Sequence, residues 1–230
     1  MKRYRQYHLI GEGGAGQVEW GCCGTELNKF RMSEYSLRRI AVFCGSAAGS
    51  DPRFLSAARA LGHDLAVRGI GVVYGGASVG CMGALADGAL AASGEVIGVL
   101  TRGLAAREIA HRGLTTLELV DTMHERKARM AVLSDAVIAL PGGYGTFDEL
   151  FEALTWSQLG IDRKPIGVLD AGDFWGPMLT LLDGAVTSGF LQPVNRQFLL
   201  QATSLDALLG QFRQAMYATD ERRDPRAPEG

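Results

Sequence analysis

Short apolar runs alternate with amphipathic segments along most of this chain. The runs are almost continuously apolar, whereas the segments between them place apolar residues at helical spacing. Continuous runs of this kind are typical of strands that are buried on both faces of a parallel sheet. They predict strands at Arg38–Ser46, Ile70–Gly76, Glu95–Leu100, Thr115–Asp121, Asp135–Gly143 and Lys164–Asp170.

Each predicted strand except the third is followed by a predicted helix, and the third is followed by an irregular connection through His111. A last apolar run at Phe198–Ser204 precedes the final helix. The helices are predicted at Pro52–Gly69, Met82–Ser93, Met123–Ser134, Thr146–Gly160, Phe174–Phe190 and Ser204–Ala218. Strand–helix alternation implies right-handed crossovers. The predicted fold is therefore α/β: a single doubly wound, Rossmann-like parallel sheet with helices on both faces.

Three regions follow from this pattern. Residues 1–36 show neither period and are expected to form a loose extension, whereas 37–218 form the Rossmann-like domain. The tail 219–230 is charged and contains proline, and we expect it to be disordered. Since Met32 directly precedes the first strand, a translation start at either Met1 or Met32 fits the pattern.

Composition narrows the classes of function. The chain has 230 residues and a formal net charge of −2, so it lacks the basic field that holds long nucleic acids. It contains no apolar stretch of about 18 residues for a membrane span and no apolar run typical of a signal peptide. Four cysteines without zinc-type spacing predict no metal site. We expect a cytoplasmic protein.

Two glycine-rich loops follow predicted strands and open predicted helices. Glycines let the backbone approach a ligand closely, and the first turn of a helix offers free N–H groups to phosphate. In the first loop, Tyr74–Gly83, the candidate ligand-binding residues are Gly75, Gly76 and Gly80. The alternative is a tight turn in which Gly83 only allows close packing. The second loop, Pro141–Thr146, has the same design.

Glu149 can be interpreted in two ways. Thr146 is a natural N-cap residue, and Thr146 with Glu149 has the T-x-x-E spacing of a capping box. A carboxylate beside a phosphate loop is also a candidate catalytic group. The spacing alone leaves the two roles evenly balanced.

Arg126 and Lys127 lie close to the start of a predicted helix, where cations oppose the helix dipole. A negative ligand in the same crevice would offset this cost. The alternative is a solvated charged face in which Glu125 pairs with Arg129. That alternative leaves Arg126 and Lys127 unexplained.

These motifs resemble those of the Lonely Guy (LOG) family of cytokinin riboside 5′-monophosphate phosphoribohydrolases, which are often mislabelled lysine decarboxylases. The family signature PGGxGTxxE is met by Pro141, Gly142, Gly143, Gly145, Thr146 and Glu149. A second signature, of the GGGxxGLMG type, is met by Gly75, Gly76, Gly80, Met82 and Gly83. Ala77 and Cys81 depart from it, and Ala77 could strain a turn with positive φ. The segment Met123–Met130 also resembles the family's M-H-x-R-K helix.

The resemblance implies an N-glycosyl hydrolase that acts on a nucleoside 5′-monophosphate, with Arg126 and Glu149 as the catalytic pair. It also implies a homodimer with active sites near the subunit interface, and the reaction requires no metal or redox cofactor. The residues implied to line the nucleotide site are Glu108, Arg126, Lys127, Gly143, Tyr144, Gly145, Thr146, Phe147, Asp148, Glu149 and Thr155.

Three other functions compete with this interpretation. A decarboxylase would need a lysine that forms a Schiff base with pyridoxal phosphate, and Lys127 has no surroundings suited to it. A carrier of molybdenum cofactor would bind a phosphorylated ligand without needing Arg126 and Glu149. A broader AMP or nucleotide 5′-monophosphate nucleosidase would use the same site. The sequence leaves base preference open.

Overall fold

The computed structural model describes the backbone of residues 36–106 and 109–221 and the side chains of these residues up to 218. Within these ranges seven strands form one parallel sheet in the order β4-β3-β2-β1-β5-β6-β7. The strands are β1 (Arg39–Phe43), β2 (Gly71–Tyr74), β3 (Val96–Thr101), β4 (Thr116–Val120), β5 (Ala136–Ala139), β6 (Ile166–Leu169) and β7 (Leu199–Ala202). The predicted fold class is confirmed.

The strand order reverses next to β1. The chain winds outward from β1 to β4 and then returns to place β5 on the other side of β1, where Ile40 pairs with Ala136 and Phe43 with Ala139. This is the switch point of a doubly wound sheet, where the loops after two neighbouring strands diverge and leave a crevice for a ligand.

Helices cover both faces of the sheet. They are α1 (Pro52–Val67), α2 (Gly80–Ala91), α3 (Arg102–Ala105), α4 (Met123–Leu133), α5 (Tyr144–Gln158), α6 (Gly176–Thr187), α7 (Pro193–Arg196) and α8 (Leu205–Glu221). Along β1, Ile40 and Val42 belong to the core under α1, α2 and α8. Ala41 and Phe43 belong to the core under α4, α5 and α6. Burial on both faces explains why the strands are almost continuously apolar.

Several boundaries differ from the prediction. Helix α5 begins at Tyr144, two residues before the predicted start, and α8 continues to Glu221, into the segment predicted to be a tail. The one-turn helices α3 and α7 were not predicted. The predicted extension up to residue 35 and the tail from residue 222 lie outside the described residues. In the ranges that are described, no helix is both long and apolar enough to cross a bilayer.

Candidate active site

Arg126 lies in the first turns of α4 and is 6% exposed. Its Nε donates a hydrogen bond to the carbonyl oxygen of Val99 within β3, at 2.9 Å. Its Nη1 lies 3.3 Å from Oε1 of Glu149 on α5. A single guanidinium thus joins the sheet, at β3, to the helix that follows the switch point. Arg126 and Glu149 are the buried charged side chains of the described chain.

The start of α4 is fixed by a capping box. The Thr122 hydroxyl accepts a hydrogen bond from the Glu125 N–H at 3.1 Å, and the Glu125 carboxylate accepts from the Thr122 N–H at 3.3 Å. The charged-face alternative paired Glu125 with Arg129, but Glu125 forms the cap and Arg129 binds Glu118 on β4 at 2.6 Å. The T-x-x-E spacing from Thr122 to Glu125 was a sequence signal for this cap.

The carboxyl group of Glu149 is a weaker acid than an ordinary glutamic acid. Burial raises its pKa to about 7, although the nearby Arg126 acts to lower it. Asp148 and Glu152 add to the increase, and Lys127 opposes it. A carboxyl that titrates near neutral pH suits a role in proton transfer or in stabilising positive charge.

Lys127 binds two carboxylates of α5. Its Nζ lies 3.0 Å from Oδ2 of Asp148 and 2.9 Å from Oε2 of Glu152. Burial acts to lower the pKa of Lys127, but its hydrogen bonds to these carboxylates outweigh burial and the pKa is raised. Carboxylates of the protein itself, Glu149 included, therefore offset the cations at the start of α4.

The first glycine loop packs directly against Arg126. A Cβ atom on Gly75 would overlap Nη2 of Arg126, and one on Gly80, whose φ is +58°, would overlap the Ser46 carbonyl. Both positions therefore need glycine. Ala77 does not have positive φ, since the described residues other than glycine with positive φ are Ser93 and Asp173. The departure at Ala77 thus introduces no strain of the expected kind.

The second glycine loop places Gly143, not Thr146, at the N-cap of α5. The prediction that Thr146 caps the helix is wrong. Thr146 is instead buried in the first turn, where its side chain packs so closely on Gly142 that a Cβ there would overlap it. Because the helix starts earlier, Thr146 and Glu149 do not form a capping box. The capping role considered for Glu149 is thereby excluded, and its carboxylate instead contacts Arg126.

The start of α5 is open to solvent. Gly143, Tyr144 and Gly145 are exposed, and no side chain caps the helix. A Cβ on Gly143 or on Gly145 would meet no atom within 4 Å. The N–H groups of the first turn and the positive end of the helix dipole are therefore available to an anion.

Phe147 lies apart from the charged residues. Its ring is stacked on Phe174 at 6.3 Å between centroids and meets Trp175 edge-on at 6.0 Å. This packing holds the first turns of α5 against the loop that follows β6. In this structure Phe147 is part of an aromatic cluster, and its predicted contact with a ligand stays a prediction.

Thr155 is not brought to the Arg126–Glu149 pair. It is exposed on α5, and its hydroxyl donates to the carbonyl oxygen of Phe151 at 2.7 Å. Glu108 lies outside the described residues. The structure thus brings together Arg126, Lys127, Asp148, Glu149 and Gly75.

Residues 82–212 match the family described as "Possible lysine decarboxylase". The chain is 43% identical to the cytokinin riboside 5′-monophosphate phosphoribohydrolase LOG7 of Arabidopsis thaliana, over 80% of this chain and 85% of the relative. It is 47% identical to the probable phosphoribohydrolase LOGL1 of Oryza sativa subsp. japonica, over 76% and 79%. The chain belongs to the Lonely Guy family.

Solved structures share the fold of this Lonely Guy protein. They include a molybdenum cofactor binding protein from Rippkaea orientalis and the molybdenum cofactor carrier protein from Chlamydomonas reinhardtii. Each has a TM-score of 0.59 and 23% identity, and the match covers 79% of this chain and 99% of the other. At this identity the likeness shows the fold and carries no argument for a carrier function.

The lysines of the Lonely Guy site do not suit decarboxylation. A lysine that forms a Schiff base must lose its proton, and enzymes favour this by lowering its pKa. Lys127 is held as an ammonium between two carboxylates, and Lys164 lies 2.9 Å from Asp162. Among the described residues, neither lysine has the surroundings of a Schiff-base group.

Proposed function

We propose that this protein hydrolyses the N-glycosidic bond of cytokinin riboside 5′-monophosphates, which are N6-substituted forms of AMP. The products are the free base and ribose 5-phosphate. The observation that carries the proposal is the buried Arg126–Glu149 pair beside the open first turn of α5. The names of the relatives point to the same reaction.

Glu149 supplies the charge that the reaction needs. Hydrolysis of a glycosidic bond passes through an oxocarbenium-like transition state. A carboxylate close to C1′ stabilises that positive charge or activates the attacking water. Arg126, fixed by its bond to the Val99 carbonyl, holds the Glu149 carboxylate in one orientation. Its guanidinium geometry suits this task.

The 5′-phosphate binds at the start of α5 in this proposal. The N–H groups from Gly143 to Thr146 point out of an uncapped helix end, and such ends bind phosphate. Binding energy from the phosphate then assists the reaction at the distant glycosidic bond. In this proposal Gly75, Gly76 and Gly80 contribute to the site from the first glycine loop.

A substrate panel tests this function. Isopentenyladenosine monophosphate and AMP are each incubated with the protein, and release of the free base is followed by chromatography. We expect release from the prenylated nucleotide, with a higher kcat/KM than for AMP. Equal kcat/KM values would favour the broader nucleosidase, and binding without release would favour a carrier.

We further propose that the protein is a homodimer formed through the outer side of α5. Tyr144, Phe151 and Leu159 form an exposed apolar stripe along this helix, because residues seven and eight apart lie on one side. Thr155 lies in the same stripe. A second copy packed here would cover these side chains and bring Thr155 near a nucleotide site.

We propose a cytoplasmic location. Cys44 and Cys81 are buried and free, and unpaired cysteines are typical of proteins in reducing compartments. Fractionation of the source cells, followed by immunodetection with an antibody against this protein, tests the location.

A further inference from the structure

The segment that begins at Ile109 is hydrogen-bonded to the first glycine loop. The Ser78 N–H donates to the Ile109 carbonyl at 2.8 Å, and the His111 N–H donates to the Gly76 carbonyl at 2.9 Å. An isolated antiparallel bridge lies between these two bonds. These hydrogen bonds couple the position of the glycine loop to the position of this segment.

The His111 side chain anchors the segment to α2. Its Nε2 lies 3.1 Å from Oδ1 of Asp87, and its Nδ1 lies 3.1 Å from the backbone nitrogen of Gly113. Because the Gly113 N–H can only donate, Nδ1 must accept. The proton then resides on Nε2, which donates to Asp87, so the neutral imidazole satisfies both partners in one tautomer.

Helix α2 is a firm support for Asp87. Helices α1 and α2 pack backbone against backbone: a Cβ on Gly88 would overlap the Arg59 carbonyl, and one on Gly62 would overlap the Leu85 carbonyl. Arg59 also places Nη2 3.5 Å from Oδ2 of Asp87. Asp87 therefore holds His111 from a helix that has little freedom to shift.

We propose that His111 is a positioning residue of the nucleotide site. Its bond to Asp87 fixes the 109–113 segment, and that segment holds the Gly75–Gly80 loop against the Arg126 guanidinium. The role in turnover rests on the proposed function. Glu108, a predicted substrate contact, directly precedes this segment in the sequence.

The position of the His111–Asp87 contact predicts which kinetic constant changes. Without His111 the glycine loop is less ordered before the nucleotide binds. Binding must then order the loop, and this entropic cost weakens binding and raises KM. The Arg126–Glu149 pair is held by the Val99 carbonyl and by α5 rather than by His111. We therefore expect kcat to change little.

The experiment compares His111→Ala, His111→Gln and Asp87→Ala with His63→Ala. His63 is the matched control, because it also contacts an aspartate, Asp64 at 3.3 Å, but is exposed on α1. We expect His111→Ala and Asp87→Ala to raise KM for isopentenyladenosine monophosphate about fivefold or more, with kcat within about twofold. His111→Gln keeps a donor for Asp87 and should restore most of the loss.

Amide hydrogen exchange separates this inference from the proposed function. The Ser78 N–H should exchange faster in His111→Ala and Asp87→Ala than in the wild type, and at the wild-type rate in His63→Ala. Hydrogen exchange needs no turnover, so it tests the role of the His111–Asp87 contact even if the wild type releases no base. Unchanged Ser78 exchange, or an unchanged KM in a folded His111→Ala protein, would overturn the proposal.

Discussion

The Glu149 side chain is placed where its charge is costly, and this sets a first prediction. Glu149→Gln keeps the size of the side chain and removes the charge. We expect kcat to fall by about 10²-fold or more, the size typical of acid–base groups, with the fold retained. Release of free base and circular dichroism measure the two effects.

Glu118→Gln is the matched control for this substitution. Glu118 on β4 pairs with Arg129, whereas Glu149 pairs with Arg126, so turnover should stay close to the wild type. Near-normal turnover in a folded Glu149→Gln protein would contradict the catalytic assignment.

Arg126→Ala gives a second prediction for the same pair. Loss of the guanidinium frees the Glu149 carboxylate from its orientation and removes the cation that lowers its pKa. We expect kcat to fall by about 10²-fold or more. Steady-state kinetics measure this. A kcat close to the wild-type value in a folded variant would show that Glu149 works without its partner.

The pKa of Glu149 also predicts how stability depends on pH. The carboxyl binds its proton more tightly in the folded state, with a pKa of about 7, than in the unfolded state near 4.5. This site therefore makes the free energy of unfolding fall as pH rises between these values. Glu149→Gln should remove that decrease and be more stable than the wild type at pH 8 by about 3 kcal/mol, since each pKa unit corresponds to about 1.4 kcal/mol.

Urea unfolding at pH 4 and at pH 8 checks this stability prediction. The difference between Glu149→Gln and the wild type should be present at pH 8 and nearly absent at pH 4. An equal difference at both pH values would mean that the titration of Glu149 is not its source.

The sequence singled out Arg126, Lys127 and Glu149, which the structure brings together, but the spacing of the residues left the role of Glu149 open. Whether Glu149 caps the helix depends on where α5 begins, and the start of the helix is set by the backbone. Gly143 and Gly145 have no side chain to signal helix, so the spacing placed the cap at Thr146. Val99 could not be predicted, since its contribution to the site is a carbonyl oxygen that any residue would supply.

At the level of helices and strands, the contact between α1 and α2 gives a fourth prediction. Gly88→Ala would drive a Cβ into the Arg59 carbonyl. Overpacking of this kind typically costs about 1–3 kcal/mol. The free energy of unfolding should fall by that amount, as measured by denaturant unfolding.

Gly184→Ala in α6 is the matched control. A Cβ there would meet no atom within 4 Å, and alanine favours a helix over glycine by about 1 kcal/mol. Gly184→Ala should therefore stabilise the protein slightly. If both substitutions changed stability equally, the close approach of α1 and α2 would not be the cause.

The elements were predicted unevenly for physical reasons. Strands buried on both faces are continuously apolar, so their positions were found within a few residues. Helices α2 and α5 begin earlier than predicted, because glycines at their starts carry no apolar periodicity and disfavour helix locally. The single turns α3 and α7 are too short to show a helical repeat.

At the scale of the whole molecule, the apolar stripe on α5 gives a fifth prediction. The wild type should have twice the chain mass of 24.6 kDa in solution. Phe151→Glu places a charge in the stripe and should yield the monomer. Light scattering coupled to size exclusion measures the mass.

Leu181→Glu is the control for the dimer prediction. Leu181 is also an exposed apolar residue, but it lies on α6, so its replacement should leave the dimer intact. A monomeric wild type, or a dimer that survives Phe151→Glu, would contradict an interface along α5.

The strand order allows one break in the chain to divide the sheet into two blocks of neighbouring strands. A break between α4 and β5 would leave β4-β3-β2-β1 in one fragment and β5-β6-β7 in the other. Arg126 would lie in the first fragment and Glu149 in the second. Neither fragment alone could then assemble the ion pair, so base release would report their reassociation. The protein is therefore suited to use as a split enzyme, in which two separately expressed fragments regain activity only when they associate.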